Sequence, residues 1–198
     1  ITKVTGGDQV ESVLLDSGVE LYTQVLIEAI GSEPNLELLH DNDVDLDGGV
    51  GADSSLRVLR KDGTVWQNVY VVGDVARFPI PQFCDYPRRV EHWNIPTEMA
   101  RKVGKEVALQ LSGDTNAFEE EISKPFAPIP SFWSDQFDVS LLAYGLIDQA
   151  DEITLLDGEV GSDCIYGYYK RGELVGVCGV GMRSKVMGYR NQVGLTHA

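Results

Sequence analysis

The amino-terminal part of the chain has the hydrophobic pattern of β structure. Residues 10–16, VESVLLD, alternate between apolar and polar positions and lie between a Gly-Gly-Asp turn at 6–8 and an Asp-Ser-Gly turn at 16–18, which predicts a strand. The apolar run at 25–31, VLIEAIG, is continuous and predicts a buried strand that ends at Gly31.

The middle of the chain has weaker patterns and then a clearer one. Residues 35–42 predict a short helix, and residues 54–60 predict a strand that is closed by an Asp-Gly turn. Residues 68–74, NVYVVGD, predict a further strand whose apolar run stops at a Gly-Asp pair.

A longer helix is predicted from about Pro96. Apolar residues recur at helical spacing from Met99 to Leu111, Pro is favoured in a first turn, and Gly113 is placed to end the helix.

The composition changes at 113–131, where three prolines and an acidic run indicate a domain boundary. Beyond it, the pattern predicts two or three strands, a hairpin turned at 170–173 and a terminal helix. We therefore expect a small α+β domain with an antiparallel sheet.

Charge and cysteine content narrow the possible functions. Sixteen basic and thirty-one acidic residues give a net charge of -15, which disfavours nucleic acid as a partner because its binding needs Lys and Arg. No apolar stretch approaches the roughly 18 residues of a membrane helix. The three cysteines form no disulfide framework or zinc pattern, so we expect a cytoplasmic protein without a metal site.

Three short segments could carry chemistry, and each also has an ordinary structural interpretation. Gly73 and Asp74 follow an apolar run, where a carboxylate can bind ligand hydroxyls or simply form a turn. Residues 91–94, EHWN, form either a platform for a flat ligand at a helix start or a cap with a packed Trp. Residues 131–138, SFWSDQFD, predict by default a strand start with a cap.

In chain order, GDVA at 73–76, VEHW at 90–93 and FWSDQ at 132–136 resemble the carboxyl-terminal half of FAD-dependent pyridine nucleotide reductases. The chain is most similar to the ferredoxin, rubredoxin and putidaredoxin reductase branch, and is also similar to apoptosis-inducing factor. Both dinucleotide-binding fingerprints of that family are absent from this sequence, so the resemblance implies a fragment.

The resemblance implies an α/β fold, the second half of a flavoprotein with two dinucleotide-binding domains, followed by the small α+β domain. Residues 1–31 would be the last strands of the NAD-binding domain and residues 32–112 the second segment of the FAD-binding domain. Residues 113–198 would form the carboxyl-terminal interface domain.

The resemblance also implies roles for single residues, all in cofactor binding and none as a catalytic acid or base. Asp74 would bind the ribityl chain of FAD, and Gly73 would give it room. The segment Glu91, His92 and Trp93 would face the pyrimidine edge of the isoalloxazine. In the same way Gly31 would lie beside the nicotinamide nucleotide, and Trp133 near the isoalloxazine and the nicotinamide.

The implied activity is electron transfer from NAD(P)H through FAD to a ferredoxin- or rubredoxin-type carrier, in a protein compatible with a homodimer. These 198 residues alone would be colourless and inactive, because half of the FAD site lies outside them. The alternatives are a non-enzymatic interaction or dimerisation module, or a flavoprotein with another acceptor, such as a nitrite reductase subunit or a redox sensor.

Overall fold

The structure is a computed structural model that describes residues 1–195. Its backbone contacts divide the chain into two compact units, Ile1–Glu33 and a larger unit that begins at Pro34. Among the described residues, no helix has both the length and the apolar composition needed to cross a membrane. The three domain segments predicted from the sequence stay a prediction.

The smaller unit is a three-stranded antiparallel sheet of β1 (Lys3–Gly6), β2 (Val10–Leu14) and β3 (Glu20–Tyr22). The strand predicted at 10–16 is confirmed as β2. The prediction of a buried strand at 25–31 is wrong, because this segment forms no strand and its apolar side chains are exposed. A continuous apolar strand needs neighbours that cover both of its faces, and within residues 1–33 the three strands pair only with one another.

The larger unit opens with short elements. A single 3₁₀ turn, Glu37–Leu39, replaces the helix predicted at 35–42. Four short strands lie between this turn and the first helix. Strands β4 (Val50–Gly51) and β7 (Ala76–Arg77) form a parallel pair, and β5 (Arg57–Leu59) and β6 (Val65–Tyr70) form an antiparallel pair.

The strand predicted at 68–74 ends earlier than expected. Strand β6 stops at Tyr70, so Val71 and Val72 link it to the Gly-Asp pair as irregular chain. Val71 still donates a backbone hydrogen bond to Leu56 at 3.0 Å, but Val72 is 44% exposed. The apolar run is therefore longer than the strand, because pairing with the short strand β5 ends first.

Two helices follow. Helix α1 (Asn94–Ser112) confirms the predicted helix, and Gly113 ends it in the left-handed conformation, with φ of 76°. Helix α2 (Thr115–Ile122) was not predicted, because its acidic run has little apolar periodicity. The side chain of Asp114 caps it by accepting a hydrogen bond from Ala117 at 3.0 Å.

The carboxyl-terminal part is an antiparallel sheet, as predicted, but with five strands instead of two or three. The strands are β8 (Ser131–Gln136), β9 (Val139–Gly145), β10 (Glu152–Gly158), β11 (Cys164–Lys170) and β12 (Glu173–Val180), in the order β10-β11-β12-β9-β8. The hairpin at Lys170 and Glu173 and the terminal helix α3 (Arg183–Tyr189) are both confirmed.

One hydrophobic core joins α1, the segment before it and this sheet. The residues fully buried in it are Leu56, Phe78, Ile80, Ile95, Met99, Ile165, Val177 and Val186. This core holds the start of α1 and the five-stranded sheet in a fixed relation, and the candidate site lies beside that start.

Candidate functional site

A cleft of about 340 Å³ lies at the amino-terminal end of α1. Its lining residues are Asp74, Glu91, His92, Trp93, Pro96 and Thr97. Four of the seven residues singled out from the sequence therefore meet in one place, although they come from segments separated by sixteen residues of chain.

The Gly-Asp turn holds Asp74 at the edge of this cleft. Gly73 has φ of 91°, a conformation that favours glycine, and a Cβ there would meet no heavy atom within 4 Å. The backbone N–H of Gly73 donates to Sδ of the fully buried Met99 at 3.2 Å, which ties the turn to α1. The glycine is thus required by backbone conformation, and it leaves open space on the turn.

The helix contributes a partial positive charge to the cleft. Helix α1 has 19 residues, and its N-cap residue, Trp93, makes no side-chain capping hydrogen bond. Its first turn also carries no acidic residue. A long helix with such an end favours a negatively charged or electron-rich group beside it.

His92 forms part of the cleft wall and is half-buried. Burial lowers the pKa of its imidazole, and the positive charge of Arg88 lowers it further. Its ring lies 5.5 Å from that of Phe132, centroid to centroid, at an angle of 55°. Its Nδ1 atom is buried and has no hydrogen-bond partner among the described residues. The imidazole is therefore neutral at pH 7 and keeps one unused polar atom.

We expect His92 to make the protein less stable on mild acidification. The unfolded imidazole titrates near pH 6.5 and the folded one below it, so between these values the unfolded state binds more protons. Stability is then fully present above about pH 6.5 and falls as the pH drops toward the folded pKa. Urea unfolding midpoints from pH 5 to 8 should fall less steeply with acid in His92→Gln than in wild type.

The matched control for this experiment is His40→Gln, at an exposed position of the same unit. Equal acid dependence in His92→Gln and wild type would contradict the predicted contribution of His92.

Asn94 connects the start of α1 to strand β8. Its Nδ2 donates to the carbonyl oxygen of Ile129 at 3.2 Å, and its Oδ1 accepts from the hydroxyl of Ser131 at 3.1 Å. A second contact from Nδ2 reaches Glu98 at 3.2 Å. These bonds hold the first strand of the carboxyl-terminal sheet beside the cleft.

Replacing Asn94 with Ala is expected to lower the free energy of unfolding by about 1–2 kcal/mol, because two part-buried partners lose their hydrogen bonds. Asn68→Ala is the control, since Asn68 makes an exposed bond to Gln110 and its loss should cost less than about 0.5 kcal/mol. Urea unfolding of both variants measures the difference, and equal losses would contradict the assigned role.

The other three predicted residues, Gly73, Trp133 and Gly31, are not among those that line the cleft. Trp133 lies on β8 and is 48% exposed, and its neighbour Phe132, which the sequence reasoning did not single out, contacts His92. Neighbouring residues of a strand point to opposite faces, so these two aromatic rings serve different surfaces. Gly31 lies in the smaller unit with φ of 118°.

The cleft has no arrangement for metal or nucleophilic chemistry. No group of three or more His, Cys, Asp or Glu side chains within residues 1–195 could hold a metal ion. All three cysteines are free and buried, and burial raises the pKa of the Cys178 thiol. The arrangement is suited to binding a flat, polar-edged ligand.

Two family models match the chain. The model described as pyridine nucleotide-disulphide oxidoreductase matches residues 1–100, and the model described as reductase C-terminal matches residues 131–196. Together they cover the smaller unit, the cleft residues and the five-stranded sheet.

Curated relatives and solved structures agree with these matches. Monodehydroascorbate reductase of Pisum sativum is 32% identical over 85% of this chain, and putidaredoxin reductase of Pseudomonas putida is 28% identical over 86%. The chain spans only 36% of the length of each of these proteins. The crystal structure of the ferredoxin reductase for the CYP199A2 system from Rhodopseudomonas palustris is 28% identical, with a TM-score of 0.74 over 96% of this chain and 42% of that one.

Proposed function

We propose that this chain, which belongs to the pyridine nucleotide-disulphide oxidoreductase family, is the carboxyl-terminal part of an NAD(P)H-dependent flavoprotein reductase. In this proposal electrons pass from NAD(P)H through FAD to a small iron–sulfur carrier. The observation that carries it is the cleft at the start of α1, where Asp74, Glu91, His92 and Trp93 meet.

The residues of this cleft fit the isoalloxazine and ribityl parts of FAD. The open space at Gly73 permits close approach to the backbone, and Asp74 offers a carboxylate to hydroxyl groups. The amino-terminal end of α1, where Trp93 supplies no side-chain cap, suits the electron-rich pyrimidine edge of a flavin. The buried Nδ1 of His92 is a further polar atom for which the described residues supply no partner.

Bound FAD would supply the redox chemistry, namely acceptance of a hydride and release of single electrons. This chain would bind and orient it: Asp74 would accept hydrogen bonds from the ribityl hydroxyls, and the α1 dipole would favour negative charge at the pyrimidine edge. His92 and Trp93 would form the wall of the cleft on the side of helix α1. None of these side chains needs to transfer a proton in the proposed reaction.

Two similarities support an iron–sulfur carrier as the electron acceptor. Putidaredoxin reductase and the ferredoxin reductase for the CYP199A2 system are named for such carriers, and both are 28% identical to this chain. The half-exposed Trp133 on an edge strand offers an aromatic surface to such a partner.

A second candidate acceptor is a small organic radical. Monodehydroascorbate reductase of Pisum sativum is 32% identical to this chain, and the net charge of -15 would repel an acidic carrier protein. The same cleft and flavin would serve this reaction, so the two candidates differ only in the acceptor.

The proposal is tested on the full-length protein that contains this chain. We expect a yellow protein whose flavin absorbance is bleached by NADH or NADPH without oxygen, and then restored by an oxidised ferredoxin. Restoration by monodehydroascorbate but not by ferredoxin or rubredoxin would select the second acceptor. A colourless protein that takes up no FAD would contradict the flavoprotein function and leave the interaction module as the alternative.

Location and assembly are further parts of the proposal. Three free, buried cysteines suit the reducing cytoplasm. A homodimer is a further part of the proposal, and sedimentation of the full-length protein measures it.

A further inference from the structure

We infer that Arg89 is a positioning residue that sets the separation between the two edges of the cofactor cleft. Its Nη1 donates to the backbone carbonyl oxygen of Asp74 at 3.1 Å, and its Nη2 lies 2.9 Å from Oε1 of Glu91. Asp74 and Glu91 both line the cleft, whereas Arg89 does not. The inference rests on the proposed FAD-binding function of this cleft.

The chemistry of these two contacts requires a guanidinium group. A carbonyl oxygen and a carboxylate accept from two different nitrogens of one planar group, which holds both acceptors at a fixed separation. An ammonium group on a flexible stem can reach either acceptor but does not fix their separation in the same way. The Arg89 side chain is only 19% exposed, although its hydrogen bond to Asp74 lies at an exposed site and the Glu91 side chain is 38% exposed.

The stem of Arg89 is held in place by a third segment. A Cβ at Gly49 would lie 2.7 Å from Cδ of Arg89 and 2.8 Å from the carbonyl oxygen of Val75. Gly49 has φ of 139°, and the following residue, Val50, donates a backbone hydrogen bond to Val75 at 2.8 Å. The absence of a side chain at Gly49 therefore makes room for Arg89 next to the turn that carries Asp74.

The neighbouring arginine has a different role. Arg88 pairs with Asp148, in the segment after β9, at 2.8 Å. Of these two consecutive arginines, it is Arg89 that contacts both edges of the cleft. By contacting both the Gly-Asp turn and the Glu-His-Trp segment, Arg89 would align Asp74 with the start of α1 before the cofactor binds.

The test compares Arg89→Ala and Arg89→Lys with wild type in the full-length protein, stripped of flavin and titrated with FAD. Arg57→Ala is the matched control, because Arg57 is 15% exposed and pairs with Asp53 at 2.7 Å but does not line the cleft. The readouts are the FAD dissociation constant and the visible circular dichroism of the bound flavin, which reports the asymmetry of its surroundings.

We expect the dissociation constant to rise about tenfold in Arg89→Ala and about threefold in Arg89→Lys, with less than about a twofold change in Arg57→Ala. The circular dichroism of the flavin should change in both Arg89 variants and stay as in wild type in the control. Partial recovery of FAD affinity in Arg89→Lys, relative to Arg89→Ala, distinguishes the loss of these positioning contacts from a general loss of folding.

Wild-type affinity and circular dichroism in Arg89→Ala would overturn the inference, and so would an equal loss of affinity in Arg57→Ala. If Arg89→Ala does not fold, the Lys variant decides, and wild-type values in it also overturn the inference. Failure of the proposed function has a separate signature, since wild-type protein would then bind no FAD at all.

Discussion

Asp74→Ala is expected to weaken FAD binding by the full-length protein about tenfold to a hundredfold. Hydrogen bonds from ligand hydroxyls to an ionised carboxylate are worth about 1.5–3 kcal/mol, and each 1.4 kcal/mol is a factor of ten. The backbone turn should persist in the variant, because its conformation depends on Gly73 and on the bond to Met99. Fluorescence of released flavin on serial dilution measures the dissociation constant.

Two further variants show whether the carboxylate itself is responsible. Asp74→Asn keeps the size and the acceptor oxygen of the side chain, so its affinity should fall between those of wild type and Asp74→Ala. Asp62→Ala removes an exposed carboxylate from a turn in the same unit, where it accepts hydrogen bonds from Thr64. FAD affinity that is the same in Asp74→Ala as in Asp62→Ala would rule out the proposed role of Asp74.

Lys102→Met is expected to lower the free energy of unfolding by about 3–5 kcal/mol. The ammonium group of Lys102 lies 2.8 Å from Oε1 of Glu106, which is fully buried in α1. It also donates to the carbonyl oxygens of Glu121 and Lys124 at 2.7 Å each, so it joins α1 to the end of α2. Without it a buried carboxylate loses its counter-charge, and two carbonyl groups lose a donor.

A second substitution tests this cause. Lys102→Met combined with Glu106→Leu removes both charges, and we expect about half of the lost stability to return, because replacing a whole buried pair costs far less than breaking it. Lys124→Met is the control, since Lys124 is 55% exposed and its pair with Glu120 should contribute less than about 1 kcal/mol. Urea unfolding of the three variants measures these differences. A double variant that is no more stable than Lys102→Met would argue against an unpaired buried charge as the cause of the lost stability.

Elements whose signals are local were predictable from the sequence. Helix α1 was recognised because its apolar spacing, the proline in its first turn and Gly113 all lie within one stretch of chain. The hairpin at Lys170 and Glu173 was recognised for the same reason, since a short polar turn separates two apolar strands. The antiparallel sheet and the family also followed from local motifs. The strand pairing confirms the sheet, and the family matches confirm the family.

Elements whose outcome depends on distant partners were not predictable. The apolar segment 25–31 resembles a buried strand, but a strand forms only where a neighbour pairs with it. The burial of Glu106 is a second example, because the hydrophobic pattern of a helix identifies its buried face only from the apolar residues. Its position is tolerated because Lys102 is four residues earlier on the same helix.

For the candidate site, the sequence by itself determined which residue types are present: a Gly-Asp pair, a Glu-His-Trp segment before a helix and an aromatic strand. Only the tertiary structure decided that Asp74, Glu91, His92 and Trp93 line one cleft, and that Phe132 contacts His92. The order of motifs along a chain shows which chemical groups are present, but it does not show how far apart these groups lie in the folded protein. Distance is set by side-chain packing and by contacts such as those of Arg89, which join segments that no local pattern relates.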